Sequence, residues 1–271
     1  MISLHNVTFA YPGGRPIFSG FNWSVEAGEA WVVLGPSGYG KSTLLYLLAG
    51  LRTPLTGEVR IEGEVINRPR PRTGLILQDF GLLPWATCEQ NVGLGLRIHG
   101  FYGPDGTHAP LDRRPGDVRL QTEHWLHRLG LLPVRHQYPS QLSGGQRQRA
   151  AIARTLALNP DLLLMDEPFA SLDAPTREGL QNLTMELRAE QRLTTIVVTH
   201  SIEEAAFLGQ HILLFGHTTE IIANPGAGTH GYRDQPAYQA MVQHLRARLG
   251  ALSQLDPLAQ PRVAAEGARG A

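Results

Sequence analysis

Three short segments hold most of the residues in this chain that could do chemistry. The first, Gly35-Pro36-Ser37-Gly38-Tyr39-Gly40-Lys41-Ser42-Thr43, fits the phosphate-loop pattern. Its glycines let backbone N–H groups converge on phosphate oxygens, and the N-terminus of a following helix adds partial positive charge. In that frame Lys41 reaches the β- and γ-phosphates of a nucleotide, and Ser42 offers its hydroxyl to Mg²⁺. The bland alternative is an ordinary glycine-rich turn, which the strand before and helix after it argue against. The second segment closes an apolar run, Leu162-Leu163-Leu164-Met165-Asp166-Glu167-Pro168. Asp166 would hold the water shell of a Mg²⁺ ion, and Glu167, one residue on, would polarise a water aimed at a γ-phosphate. A strand-ending acidic turn would show the same residues. The third, Leu142-Ser143-Gly144-Gly145-Gln146, stands directly before a helix-forming stretch at 147–158. Its hydroxyl and glycine amides could cradle a second phosphate, or cap the helix and nothing more.

For these segments to meet, the chain must supply strands and helices in the right order. Trp31-Val32-Val33-Leu34 is continuously apolar, as a central strand covered on both faces requires. Residues 42–48 read as a buried helix that Gly50 stops. Leu162-Leu163-Leu164-Met165 and Thr195-Ile196-Val197-Val198 each follow a segment of helical character, the βαβ pattern of a parallel sheet. Open parallel sheets bind ligands beyond the carboxyl ends of their strands. Leu34 runs into the first segment, Met165 into Asp166 and Glu167, and Val198 into Thr199-His200, so all three converge on one crevice.

Elsewhere, alternation at Ile2, Leu4, Val7 and Phe9, around Phe21, Trp23 and Val25, and over 57–66 predicts antiparallel strands. The 88–158 region reads as mainly helical, interrupted by a Gly/Pro-rich stretch at 100–116 expected as an exposed loop. Ala237, Met241, Leu245 and Leu249 recur every four residues on one helix face, and a fraying tail is expected after them. His124 and His127 have a helical ligand spacing but read as a solvated face.

Composition narrows the function. Lys plus Arg total 24 and Asp plus Glu total 24, so no overall field draws the chain onto nucleic acid or anionic lipid. The single cysteine, Cys88, cannot form an intrachain disulfide, and the start Met-Ile-Ser-Leu-His lacks the regions of a secretory signal; a reducing, cytoplasmic setting is expected. No apolar run approaches the roughly 18 to 20 residues of a membrane helix.

Taken in order, the phosphate loop, Gln78, the Leu142 to Gln146 segment, Asp166-Glu167, Ser171-Leu172-Asp173 and His200 resemble the nucleotide-binding subunit of an ATP-binding cassette transporter, over about residues 2–222. The resemblance implies an α/β fold: a P-loop (RecA-like) parallel-sheet core with an N-terminal antiparallel β subdomain and an α-helical subdomain inserted at about 88–158. An ATPase domain would span 1–222, with 223–271 a C-terminal extension carrying one amphipathic helix. It also implies hydrolysis of ATP with Mg²⁺ by a homodimer or closely related pair. The phosphate loop of one subunit and Ser143-Gly144-Gly145-Gln146 of the other would enclose the same nucleotide. Within that frame Tyr11 stacks on adenine, Gln78 touches Mg²⁺ or the attacking water and reports to the membrane partner, His200 contacts the γ-phosphate, and Asp173 braces the dimer interface. The implied partners are transmembrane permease subunits and, indirectly, a solute-binding protein, with the chain peripheral on the cytoplasmic face of the inner membrane.

A narrower similarity, in the Gln78 to Trp85 and His200 to Ala205 segments, is to importers of nitrate, sulfonate or taurine. Two other readings share the motifs. A soluble cassette ATPase of translation or DNA repair usually carries a second cassette or a long coiled-coil insertion, and neither is present here. A regulatory module would bind ATP without turnover, which phosphate release distinguishes.

Overall fold

The computed structural model describes residues 1–101, 116–216, 219–229 and 231–254. The chain opens with β1 (Ile2–Phe9) and β2 (Phe18–Val25), then β3 (Ala30–Leu34), α1 (Lys41–Leu48), β4 (Thr56–Ile61), β5 (Glu64–Val65) and β6 (Thr73–Ile76). Among the described residues four α-helices follow before the next strand: α2 (Cys88–Val92), α3 (Leu94–Phe101), α4 (Gly116–Arg128) and α5 (Gly144–Leu156). The remainder is β7 (Leu162–Asp166), α6 (Ala174–Gln191), β8 (Thr194–Thr199), α7 (Ile202–Leu208), β9 (His211–Phe215), β10 (Thr219–Ala223) and α8 (Pro236–Gln254).

Two sheets result. One is antiparallel in the order β2-β1-β4-β5, and the other has six strands in the order β10-β9-β3-β8-β7-β6. In the larger sheet β9, β3, β8, β7 and β6 run parallel, with only β10 reversed. Alternation along the parallel strands sends successive side chains to opposite faces. Trp31, Val33, Leu164 and Val198 meet the α1 leucines and the antiparallel sheet on one side. Val32, Leu34, Met165 and Val197 meet α5, α6 and α7 on the other. Leu44, Leu45, Leu47 and Leu48 of α1 are fully buried, each contributing about 1.5 to 3 kcal/mol to burial. That packing anchors the helix whose first residue is Lys41.

The expected antiparallel start, the central strand, the 42–48 helix and the strands at 162 and 195 are all present. Gly50 ends α1 as expected: its φ is +69°, and Leu51 N–H donates to the Tyr46 carbonyl. On α8 the buried face differs from the expected one. Ala237 is exposed and Tyr238 is buried beside Val242 and Leu245, because Tyr238 packs edge-on against Tyr232 from the preceding turn. Of the expected 100–116 loop, 102–115 lies outside the described residues, while α3 runs to Phe101 and α4 begins at Gly116. The expected tail, 255–271, lies outside them as well. No helix among the described residues is long and apolar enough to cross a membrane.

Candidate active site

Strand register brings the chemical residues to one edge. Leu34 of β3 is level with Thr199 of β8, Asp166 of β7 with Val198, and Ile76 of β6 with Met165. The carboxyl ends of four adjacent parallel strands thus carry the phosphate loop, the Asp166-Glu167 pair, the Thr199-His200 turn and the Gln78 turn.

Packing dictates two of the loop glycines. A Cβ at Gly35 would lie 2.1 Å from the Phe215 carbonyl oxygen of β9. Gly40 caps α1 at φ +96°, where a Cβ would also lie 2.2 Å from Ile17 Cγ2. Lys41 is 5% exposed, and its Nζ donates to the carbonyls of Gly35 at 2.8 Å and Pro36 at 2.7 Å. Burial pushes its ammonium below the ordinary lysine value, while Glu167 and Asp166 oppose that shift. The buried cation therefore faces both carboxylates.

Asp166 accepts a hydrogen bond from the Ser42 hydroxyl. Burial raises its carboxyl above the ordinary range, against the Ser42 bond, with Glu167 adding to the rise and Lys41 opposing it. The Ser42 hydroxyl and the Asp166 carboxylate, with the side-chain carbonyl of Gln78, could supply an all-oxygen donor set of the hard kind that Mg²⁺ prefers, and that ion takes only one or two carboxylates from a protein. Gln78 is exposed in the turn after β6, one strand along from Asp166.

Glu167 sits in the left-handed region at φ +46°, held there by its N–H, which donates to the Val198 carbonyl at 2.9 Å. This twist aims its Oε2 at His200 Nδ1, 3.1 Å away, so the two residues act as a pair. Tyr11 is 38% exposed. Its hydroxyl lies 3.3 Å from Thr43 Oγ1 in the first turn of α1, and its ring stands edge-on to Phe9.

The Ser143 segment takes a different place. Ser143 caps α5: its hydroxyl accepts from Gln146 N–H, and Gln146 Oε1 accepts from Ser143 N–H. Gly144 and Gly145 lie against Leu172 and Thr176, so they face the Asp173 turn rather than join the cluster around Lys41. Asp173 in turn caps α6 through Thr176 N–H. His124 and His127 are exposed, and no cluster of three or more His, Cys, Asp or Glu suited to a metal occurs among the described residues.

One buried carboxylate escaped the sequence reading. Ser201-Ile202-Glu203-Glu204 has the spacing of a capping box, and Ser201 does accept from Glu204 N–H. The Glu204 side chain, however, takes the Thr199 hydroxyl at 2.6 Å, and Thr199 Oγ1 accepts from Ser201 N–H at 3.1 Å. Glu204 thereby pins the turn that carries His200. Burial raises its carboxyl above the ordinary range, against Thr199 and the Arg177 guanidinium 4.0 Å away. The native state thus binds this proton more tightly than the unfolded chain does. Its contribution to stability is largest at low pH and declines as pH rises from about 4.3 through the folded value. Glu204→Gln should make the fall in urea-unfolding stability between about pH 4 and pH 8 shallower than in the unsubstituted protein; an unchanged difference would count against this burial cost.

Residues 18–170 match the ABC transporter family. The taurine import ATP-binding protein TauB of Escherichia coli O157:H7 is 42% identical over 207 residues, 76% of each chain, and TauB of Shigella sonnei (strain Ss046) matches to the same extent. The dimeric structure of the ATP-binding cassette MJ0796 in a post-hydrolysis state, bound to ADP and Pi, superimposes with a TM-score of 0.70 at 32% identity, covering 81% of this chain and 98% of that one. The structure of cbiO1 from Clostridium perfringens, part of the ABC transporter complex cbiONQ, shares the fold with a TM-score of 0.70 at 24% identity, over 94% of this chain and 97% of that one. The chain belongs to the ABC transporter family and is one of its ATP-binding ATPases.

Proposed function

We propose that the chain hydrolyses MgATP as one of two paired subunits and powers import of a small solute of the taurine, sulfonate or nitrate kind through separate membrane subunits. One observation carries the catalytic part: the ends of β3, β7 and β8 gather Lys41, the Ser42–Asp166 pair and the Glu167–His200 pair at one edge of the sheet. Residues 1–222 serve as the ATPase domain, with 88–158 as its helical subdomain and 223–271 as an extension.

In this reading the phosphate loop, from Gly35 to Thr43, wraps the triphosphate with backbone N–H groups, and Lys41 leaves the Gly35 and Pro36 carbonyls for the β- and γ-phosphates. Ser42, Asp166 and Gln78 would hold a Mg²⁺ ion, which would supply neutralisation of the phosphate charge. Glu167 orients and polarises the attacking water, and His200, fixed by its Glu167 contact, stands beside the γ-phosphate. Tyr11 offers its exposed ring to the adenine. Ser143, Gly144, Gly145 and Gln146 close over the nucleotide of the other subunit, which accounts for their place beside the Asp173 turn instead of the chain's own Lys41. The twin cradles therefore belong to two composite sites.

The import reading draws on the relatives named above, which are taurine import ATP-binding proteins. It places the chain against permease subunits at the cytoplasmic face of the membrane, with a solute-binding protein acting on the far side. Phosphate release from the purified chain is expected, and it should rise several-fold in proteoliposomes with its permease when taurine and the binding protein are added outside. Release indifferent to the membrane subunits would favour a cassette ATPase outside transport, and no release at all would favour a regulatory ATP-binding module.

A further inference from the structure

Tyr11 is fixed from three sides. Phe9 meets its ring edge-on with centroids 5.1 Å apart, the Thr43 hydroxyl lies 3.3 Å from its phenol oxygen, and the guanidinium of Arg52 lies over its face, with Cζ 5.9 Å from the ring centroid. The third contact belongs to no motif. Arg52 stands just past the end of α1: after the Gly50 turn, the N–H groups of Leu51 and Arg52 both donate to the Tyr46 carbonyl, at 2.9 and 3.2 Å. Further on, Leu55 N–H donates to the Thr8 carbonyl at 2.8 Å, which lays the 51–55 loop beside the end of β1 and so beside Tyr11. Both ends of this loop are pinned, and the stem of Arg52 starts from a fixed point on the α1 side of the ring. The charges agree with that placement. Burial, Asp166, Tyr11 and Asp79 raise the Tyr46 phenol above its ordinary value and Arg52 opposes them, which sets the guanidinium near both phenols.

A cation over one face of an aromatic ring is attracted by the ring quadrupole, while the other face stays open for stacking. Arg52 is exposed, and its Nη1 makes a long bond of 3.4 Å to the Leu51 carbonyl. No carboxylate pairs with it among the described residues, so its charge is left to the ring. From this arrangement we propose that Arg52 is a positioning residue for nucleotide recognition: it backs Tyr11 from the α1 side, holds the ring in place before nucleotide arrives, and leaves the opposite face as the seat of the base. Arg52 touches neither base nor phosphate in this scheme and acts through Tyr11. The inference rests on the adenine-stacking role given to Tyr11 above.

Calorimetric titration of the full chain with MgATP and, in parallel, with magnesium tripolyphosphate, which has phosphates but no base, tests it, with phosphate release resolved into kcat and KM and circular dichroism to verify folding. Arg52→Ala should weaken ATP binding and raise KM by about two- to fivefold, the size of an exposed cation–π contact. Its kcat and its affinity for tripolyphosphate should match those of the unsubstituted chain. Arg52→Leu, which keeps an apolar stem, should lose as much, and Arg52→Lys less, because an ammonium still meets the ring face. In a Tyr11→Ala background Arg52→Ala should leave ATP affinity unchanged, since no ring remains to be backed. An equal loss of tripolyphosphate affinity would overturn the proposal by making Arg52 a general attractor of phosphate, and so would a loss that persists without Tyr11. Unchanged or tighter ATP binding by Arg52→Ala would overturn it as well, tighter binding meaning that Arg52 covers the seat of the base. Failure of the Ala and Leu variants to fold would make Arg52 a stability residue and end the proposal. The two levels of inference separate. If Tyr11→Ala leaves ATP affinity unchanged, the stacking role falls and the backing with it. If Tyr11→Ala weakens ATP binding and Arg52→Ala does not, only the backing falls.

Discussion

Glu167→Gln is expected to keep MgATP bound while turnover drops by about 10² to 10⁴, equivalent to about 3 to 5 kcal/mol of barrier, the size expected for loss of a general base. The amide occupies the same volume and still offers an oxygen to His200 Nδ1, which now stands 3.1 Å from the carboxylate. The backbone at φ +46° and its bond to Val198 are unaffected. What is lost is a negative oxygen able to draw a proton from water. Phosphate release at saturating ATP, set beside equilibrium binding, checks this. Turnover close to that of the unsubstituted chain would remove Glu167 from the chemistry.

Lys41→Ala should act on the other side of the reaction and weaken ATP binding by about 10² to 10⁴, from loss of two charge-assisted contacts worth about 1.5 to 3 kcal/mol each. The substitution also leaves Asp166 and Glu167 without the buried cation that both of them face, so the approach of a triphosphate meets uncompensated negative charge. The helix should survive, because Leu44, Leu45, Leu47 and Leu48 hold it in the core independently of its first residue. Calorimetric titration with ATP, with circular dichroism to verify folding, measures the effect. Retained affinity in a folded variant would contradict the role assigned to the phosphate loop.

The parts of the site carried by buried parallel strands are legible in the sequence. Trp31 to Leu34 and Leu162 to Met165 are apolar throughout because both faces are covered, and the residue that ends each run, Gly35 in one and Asp166 in the other, marks the ligand edge of the sheet. Less could be read where the strand is short or where the decisive contact is tertiary. β6 has only four residues, Thr73 to Ile76, one of them a glycine, and offers no period to detect. β9 was missed too, although His211 to Phe215 is apolar after its first residue, because a short apolar run does not distinguish strand from helix. Arg154 on an alanine-rich helix reads as a solvated charge until the Phe80-Gly81 turn is seen folded onto it. Glu204 was hidden for the opposite reason: its local spacing matched a helix cap, and the Thr199 hydroxyl outcompeted that use. Tyr238 replaced Ala237 on α8 because an aromatic partner, Tyr232, lay in the turn before it.

The central claim is that Lys41 and Glu167, far apart in the chain, flank one γ-phosphate. Its most direct test is to measure ATP occupancy and phosphate release on the same preparations of Lys41→Ala and Glu167→Gln. The expected pattern is crossed: an empty site in the lysine variant, and a filled but nearly idle site in the glutamate variant. Two variants that both bind and both turn over normally, or a Glu167→Gln chain whose loss of turnover follows entirely from loss of binding, would contradict it.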